Sequence, residues 1–304
     1  MNLKEQISNS KFPVSRQPLV VVVGETASGK SDLGMKIAKE FKGEIIAADS
    51  RTVYRGMDIG TAKPMPQDQK QIPHHLIDVV EPNQQFTAAD FKKLANQAIK
   101  DIRSRGNLPV IVGGTGLYVD SVIFDFNFAP KANQKIRSHL EKLSEEELKN
   151  EVLERGGAEV DLNNRRHMIR YLETGGTPKN NTKLIPNILL IGLRLPRQEL
   201  RERINSRVEK MFRTGLRKEI DDLVEKYGWD APGMEGIIYK LFRQYKDKKI
   251  SMGEVKRQFA QKDYLLAKRQ RTWFKRNPNI EWFDNPNDAL NYAREKLRCA
   301  KDGA

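Results

Sequence analysis

Residues 19–24 read Leu-Val-Val-Val-Val-Gly and contain no polar side chain. A continuous β-branched run of this kind fits a strand covered on both faces, as in a parallel sheet. Directly after it the spacing changes, and Leu33, Ile37, Ala38 and Phe41 recur at helical intervals among charged residues. Two further apolar runs, EIIAADS at 44–50 and LPVIVGG at 108–114, alternate with a helical segment at 87–104. Strands and helices in this alternation predict an α/β fold, a parallel sheet core flanked by helices.

The pattern turns polar from about Pro130. SHLEKLSEEELKNEVLERGG predicts charged helix, Asp161–Glu173 predicts a short basic helix, and Gly175, Gly176 and Pro178 break the chain. NILLIGLRL then predicts another apolar strand, followed by a helix over RQELRERINSRVEKMFRTG and further helices to about Lys275. The expected organisation is a disordered arm at 1–17, an α/β core from 18–129 and 186–304, and a compact helical insertion at 130–185.

Composition narrows the function classes. Among 304 residues, 54 Lys and Arg stand against 40 Asp and Glu, a formal charge of +14. Such an excess rewards a polyanionic partner, because each neutralised phosphate releases counterions. No apolar run approaches the ~18 residues of a membrane helix, and the first residues lack the apolar stretch of a secretory signal. The single cysteine, Cys299, excludes an internal disulfide, and no Cys/His cluster has zinc spacing. A cytoplasmic location and no membrane contact are expected.

The strongest local chemistry is Gly24-Glu25-Thr26-Ala27-Ser28-Gly29-Lys30-Ser31, which matches the G-x-x-x-x-G-K-[ST] phosphate loop of nucleotide-binding and ATP-binding proteins. It lies between a buried strand and an amphipathic helix, the context the motif requires. Glycines let the backbone curl so that N–H groups face phosphate oxygens, and the helix adds its positive end. Lys30 is expected to reach the terminal phosphates and the Ser31 hydroxyl to ligate Mg²⁺. Asp49 ends the second strand at the sheet's carboxyl edge, where ligands gather. A carboxylate there serves as metal ligand, as proton acceptor for a substrate nucleophile, or as a helix cap. The third strand ends in Gly113-Gly114-Thr115-Gly116 rather than in an acidic Walker B residue. That ending argues against an ATP-driven motor and for group transfer.

Five segments in order, GETASGKS, AADSRTVYRGMDIGTAKP, PHHLIDV, VIVGGTGLYV and AKRQRTWFKR, resemble the motifs of bacterial tRNA dimethylallyltransferases (tRNA isopentenyltransferases), from Val20 to about Phe283. The resemblance implies a fold like that of the phosphate-loop NTPases. It also implies transfer of a dimethylallyl group from dimethylallyl diphosphate to N6 of the adenosine at tRNA position 37, next to the anticodon, by a monomer. The loop from Gly24 to Ser31 would then hold the isoprenoid diphosphate and Mg²⁺ rather than serve ATP hydrolysis. Asp49 would be the general base, with Thr115 near the reacting centre. Ser50, Arg51 and Thr52, together with Asp49 and Thr115, would touch the tRNA. Arg137, at the start of the insertion, would meet the anticodon stem-loop, and Arg166, His167 and Arg170 are candidate contacts by charge and position.

Arg203 and Arg207 lie four apart, on one helical face. The resemblance has them closing over the diphosphate, whereas their spacing alone equally fits two solvated arginines. In Lys268–Arg276 basic residues interleave with aromatics; Trp273 and Phe274 are expected to pack in the core and the cations to face substrate or RNA. His74 and His75 read as structural, and Asp78 as a cap or supporting group. The sequence departs from the family at Asn163-Asn164, where the insertion is short, at Ile238, where a glycine is usual, and at Tyr264, where an arginine is expected. The alternatives are an adenylate isopentenyltransferase, a nucleotide kinase and a non-catalytic RNA-binding protein.

Overall fold

The computed structural model describes residues 17–128, 134–176 and 182–302. Most of the expected N-terminal arm and the break at Pro178 lie outside them. Gln17 does not belong to an arm: it is buried, and its carbonyl accepts a hydrogen bond from Arg103 Nη2 at 2.9 Å.

Six parallel strands form one sheet in the order β3-β2-β4-β1-β5-β6. They are β1 (Leu19–Gly24), β2 (Gly43–Ala48), β3 (His74–His75), β4 (Leu108–Gly113), β5 (Ile188–Leu193) and β6 (Glu281–Phe283). The apolar run of β1 follows from its central place: every residue is buried, between β4 and β5. Alternate residues Val20 and Val22 meet Leu33 and Ile37 of α1 (Lys30–Glu40) and Ala289 and Ala293 of the last helix, Pro286–Asp302. The short strands β3 and β6 and that last helix fall outside the pattern expected from the sequence.

After α2 (Pro66–Gln71), helix α3 (Ala88–Ser104) starts at a capping box of Thr87 and Asp90, and α4 (Gly116–Ile123) follows β4. Helices α8 (Arg197–Arg213), α9 (Leu216–Tyr227), α10 (Ile237–Lys246) and α11 (Met252–Phe274) build a second core around Val53, Tyr54 and Met57. Among the described residues no helix is long and apolar enough to cross a membrane.

The chain divides into two units, 124–184 and the remainder. The smaller unit has its own core of Leu140, Leu148, Val152, Met168, Ile169, Tyr171 and Leu172. Its described residues form three helices, α5 (Gln134–Leu140), α6 (Glu145–Glu154) and α7 (Arg165–Thr174). The expected charged helix is thus two, because Ser144 and Glu147 cap a new start. The expected basic helix begins at Arg165 instead of Asp161. Asp161 Oδ1 accepts the Asn163 N–H in a turn, and Asn164 caps the amides of Arg166 and His167.

Candidate active site

Between β1 and α1 the chain reverses at the carboxyl edge of the sheet. Gly24 (φ 155°) packs so closely that an added Cβ would stand 2.5 Å from the Leu193 carbonyl oxygen, so only glycine fits. Ala27 (φ 62°) and Gly29 (φ 90°) both adopt left-handed backbone. The alternation curls amides into a concavity at the start of α1, an anion-binding nest. Gly29, at the N-cap, brings no side chain to occupy the first-turn N–H groups.

The loop is braced from α11. Glu25 is buried and takes a two-pronged bond from Arg271, whose Nη2 also donates to the Leu195 carbonyl at 2.7 Å. The Thr26 N–H donates to Gln270 Oε1 at 2.7 Å, and Gln270 Nε2 donates to the Gly114 carbonyl at 3.1 Å. One side chain thereby ties the loop to the end of β4. Lys30 Nζ donates to the Glu25 carbonyl at 3.1 Å. Removal from water lowers its pKa to about 8, opposed by the nearby Asp49 carboxylate and aided by Arg207.

Asp49 directly follows β2, and its Oδ1 accepts the Arg51 N–H at 2.8 Å. That bond closes a turn rather than capping a helix. Thr115 Oγ1 accepts the Ser50 N–H at 3.0 Å, and the Thr115 N–H donates to the Ala48 carbonyl at 3.1 Å. These bonds bring the ends of β2 and β4 together beside the loop. Asp49, Thr115, Thr26, Lys30, Ser31 and Arg207 all line one cavity of about 480 Å³. Two polar atoms, Arg207 Nε on a residue of the cavity wall and Ser28 Oγ within the phosphate loop, are buried without a hydrogen-bond partner.

Other walls come from more distant residues. Trp273 packs on Gly116, where an added Cβ would meet it at 2.2 Å, and its Nε1 donates to Asp120 Oδ2 at 2.7 Å. Burial raises the Asp120 pKa to about 6 against that bond. Glu219 accepts the N–H groups of Asp58 (2.9 Å), Ile59 (2.5 Å) and Gly60 (2.9 Å), which fixes the loop after Met57 over the cavity. Tyr239 OH donates to the same carboxylate at 3.3 Å. Ile238 is buried in the adjoining core and contributes to the cavity wall.

The sequence-predicted groups therefore sort into sets. Thr26, Lys30 and Ser31 of the phosphate loop converge on the cavity with Asp49, Ser50, Arg51, Thr52, Thr115 and Arg207, whereas Gly24, Ala27, Ser28 and Gly29 shape the loop behind it and the Glu25 side chain is taken up by Arg271. Arg203 lies at the loop's edge: its Nη1 would be 3.6 Å from a Cβ on Gly29, while Nη2 pairs with Glu199 at 2.7 Å. Arg137, Arg166, His167 and Arg170 belong to the smaller unit. There Arg137 and Arg170 share the buried Glu173 carboxylate at 3.5 and 3.4 Å, and Arg166 and His167 are exposed at the start of α7. Trp273, expected in the core, is a half-buried cavity wall, and Arg271, expected to face substrate or RNA, is a strut of the phosphate loop. His75 is structural, bonded to Glu44 at 2.7 Å, and Asp78 supports Lys63 at 2.6 Å. Sequence reasoning missed Asp120, Glu219, Asp263 and the role of Gln270. The one available signal was spacing, since Asp263 and Gln270 stand two helical turns apart on one face of α11.

A nest at a helix start, a partly open cavity and an acid on the neighbouring strand end define a phosphate-loop α/β protein equipped for group transfer. The chain belongs to the IPP transferase family, whose model matches residues 52–277. It is 40% identical over 287 residues to the tRNA dimethylallyltransferase of Anoxybacillus flavithermus, covering 90% of this chain and 92% of that one. The crystal structure of the full-length tRNA isopentenylpyrophosphate transferase from Bacillus halodurans superposes with a TM-score of 0.73 at 35% identity, over 94% of this chain and 98% of that one. A eukaryotic dimethylallyltransferase acting on tRNA superposes with a TM-score of 0.76 at 26% identity, over 85% of this chain and 70% of that one.

Proposed function

We propose that the protein transfers a dimethylallyl group from dimethylallyl diphosphate to the exocyclic N6 amine of adenosine at tRNA position 37. The observation that carries this reading is the single cavity lined at once by Lys30 and Ser31 of the phosphate loop and by Asp49 and Thr115 at neighbouring strand ends. The loop amides, Lys30, Ser28 and Arg207 grip the diphosphate and stabilise the charge that grows on it as the allylic C–O bond breaks. The N6–C bond forms while the Asp49 carboxylate takes the amine proton, and diphosphate leaves. Thr115, Ser50, Arg51 and Thr52 stand on the acceptor side. The base must leave the anticodon-loop stack to enter the cavity. Arg203 closes the loop's edge, and Arg137, Arg166, His167 and Arg170 grip the anticodon arm.

The hard oxygen donors at the cavity suit Mg²⁺, which keeps several waters and binds through phosphates and one or two protein oxygens. The Ser31 hydroxyl would hold it, and the ion would neutralise charge on the diphosphate. Among the described residues no cluster of three His, Cys, Asp or Glu offers a separate metal cage. A monomer working in the cytoplasm completes the reading.

Labelled dimethylallyl diphosphate offered in parallel to unmodified tRNA, AMP and ATP tests it: label should enter tRNA alone. Label in AMP would make the protein an adenylate isopentenyltransferase instead. Asp49→Ala should lower single-turnover transfer by about 10²–10⁴-fold, a general-base magnitude; transfer within threefold of the unmodified protein would remove Asp49 from that role.

A further inference from the structure

Asp263 sits in the middle of α11 with only 4% of its side chain exposed. Its Oδ2 accepts a bond from Arg207 Nη2 at 2.7 Å. Arg207 comes from α8, lines the cavity, and keeps its Nε buried without a partner. A carboxylate this deep is costly unless paired, and burial pushes the Asp263 pKa up against the pull of Arg207.

A plain brace between α8 and α11 explains the pair poorly. Leu200 and Ile204 of α8 already join Ala267 of α11 in an apolar cluster, and a buried ion pair adds little stability where apolar packing serves. A brace would also satisfy the guanidinium rather than leave Nε open. The charges around it supply a better reason. Lys30 repels Arg207, and Asp49 is close enough to act electrostatically on both Lys30 and Asp263. An untethered Arg207 would be drawn to Asp49 and neutralise the proposed base.

We infer that Asp263 is a positioning residue: it holds the Arg207 guanidinium toward the leaving diphosphate and away from Asp49. This rests on the diphosphate reading of the cavity given above.

The test is a double-mutant cycle of Asp263→Asn, Arg207→Gln and the pair, with Lys30→Ala as control. The readouts are KM and kcat for dimethylallyl diphosphate, and calorimetric binding of inorganic diphosphate with magnesium. Asp263→Asn should raise KM and weaken diphosphate binding by about 10–100-fold, the scale of a charge-assisted bond. In the Arg207→Gln background the same change should alter either quantity less than twofold, because Asp263 then has nothing to hold. Equal losses in both backgrounds, no loss in the first, or a silent Arg207→Gln would overturn the inference. Asp263→Ser serves as a second variant with the same expectation. If both Asp263 variants fail to fold, the residue is a structural brace and the inference is overturned. Intact diphosphate binding by Lys30→Ala would instead sink the diphosphate reading itself.

Discussion

Asp120 shows how one side chain reports its surroundings. It stands where the indole N–H of Trp273 needs an acceptor, yet burial holds its pKa near 6, above the ordinary 3.8. The folded protein therefore binds a proton more tightly at this position than the unfolded chain does. Stability falls as pH rises from about 4 to 6, and the full penalty persists above that window. Asp120→Asn keeps an oxygen for Trp273 Nε1 and removes the charge. It should stabilise the protein by roughly 1–3 kcal/mol at pH 8, with the gain vanishing below pH 4. Urea unfolding at pH 4, 6 and 8 measures this, and a gain that grew on acidification would contradict it.

Glu44 has the opposite sign and ties three elements together. It lies in β2 and accepts Arg105 Nε (3.0 Å) and Nη2 (2.8 Å), Asn107 Nδ2 (2.7 Å) and His75 Nε2 (2.7 Å). Burial works to raise its pKa, but the hydrogen bonds prevail and lower it to about 2. The stabilisation is complete above pH 4.5 and is lost as pH falls toward 2. Glu44→Gln should cost about 1–3 kcal/mol at pH 7 and almost nothing at pH 2, by the same unfolding measurement.

This network also explains what the sequence conceals. Strands β1, β4 and β5 are legible as unbroken apolar runs and β2 as the apolar run that follows Glu44, and α1 and α8 because their apolar residues recur with a helical period. The two-residue strand β3 has no such pattern; the Ile45–His74 pairing and the Glu44–His75 bond place it. Strand β6, three residues long, is set by its register against Ile191–Leu193. The site divides in the same way. The phosphate loop and Asp49 are local motifs at strand ends, readable one at a time. The bond from Thr26 to Gln270 spans 244 residues and that from Trp273 to Asp120 spans 153, so no local pattern could announce either.

Across the whole molecule, the excess of +14 is not consumed where the diphosphate would bind. Around the phosphate loop two of the cations are paired, Arg271 with Glu25 and Arg207 with Asp263, while Lys30 donates to the Glu25 carbonyl. The surplus remains for a polyanion larger than a prenyl diphosphate. Salt separates the two. The KM for tRNA should rise at least about tenfold between 50 and 200 mM salt, following counterion release from several phosphates. The KM for dimethylallyl diphosphate, governed by amides and partly buried groups, should change less than about threefold. In the smaller unit Glu173 already offsets Arg137 and Arg170, whereas Arg166 stands exposed at a helix start. Arg166→Ala should therefore reduce the slope of log KM for tRNA against log salt by about 1 and leave the prenyl-diphosphate KM unchanged. An unaltered slope would mean that Arg166 meets no phosphate, and a salt-insensitive KM for tRNA would mean that the basic surplus does not serve RNA at all.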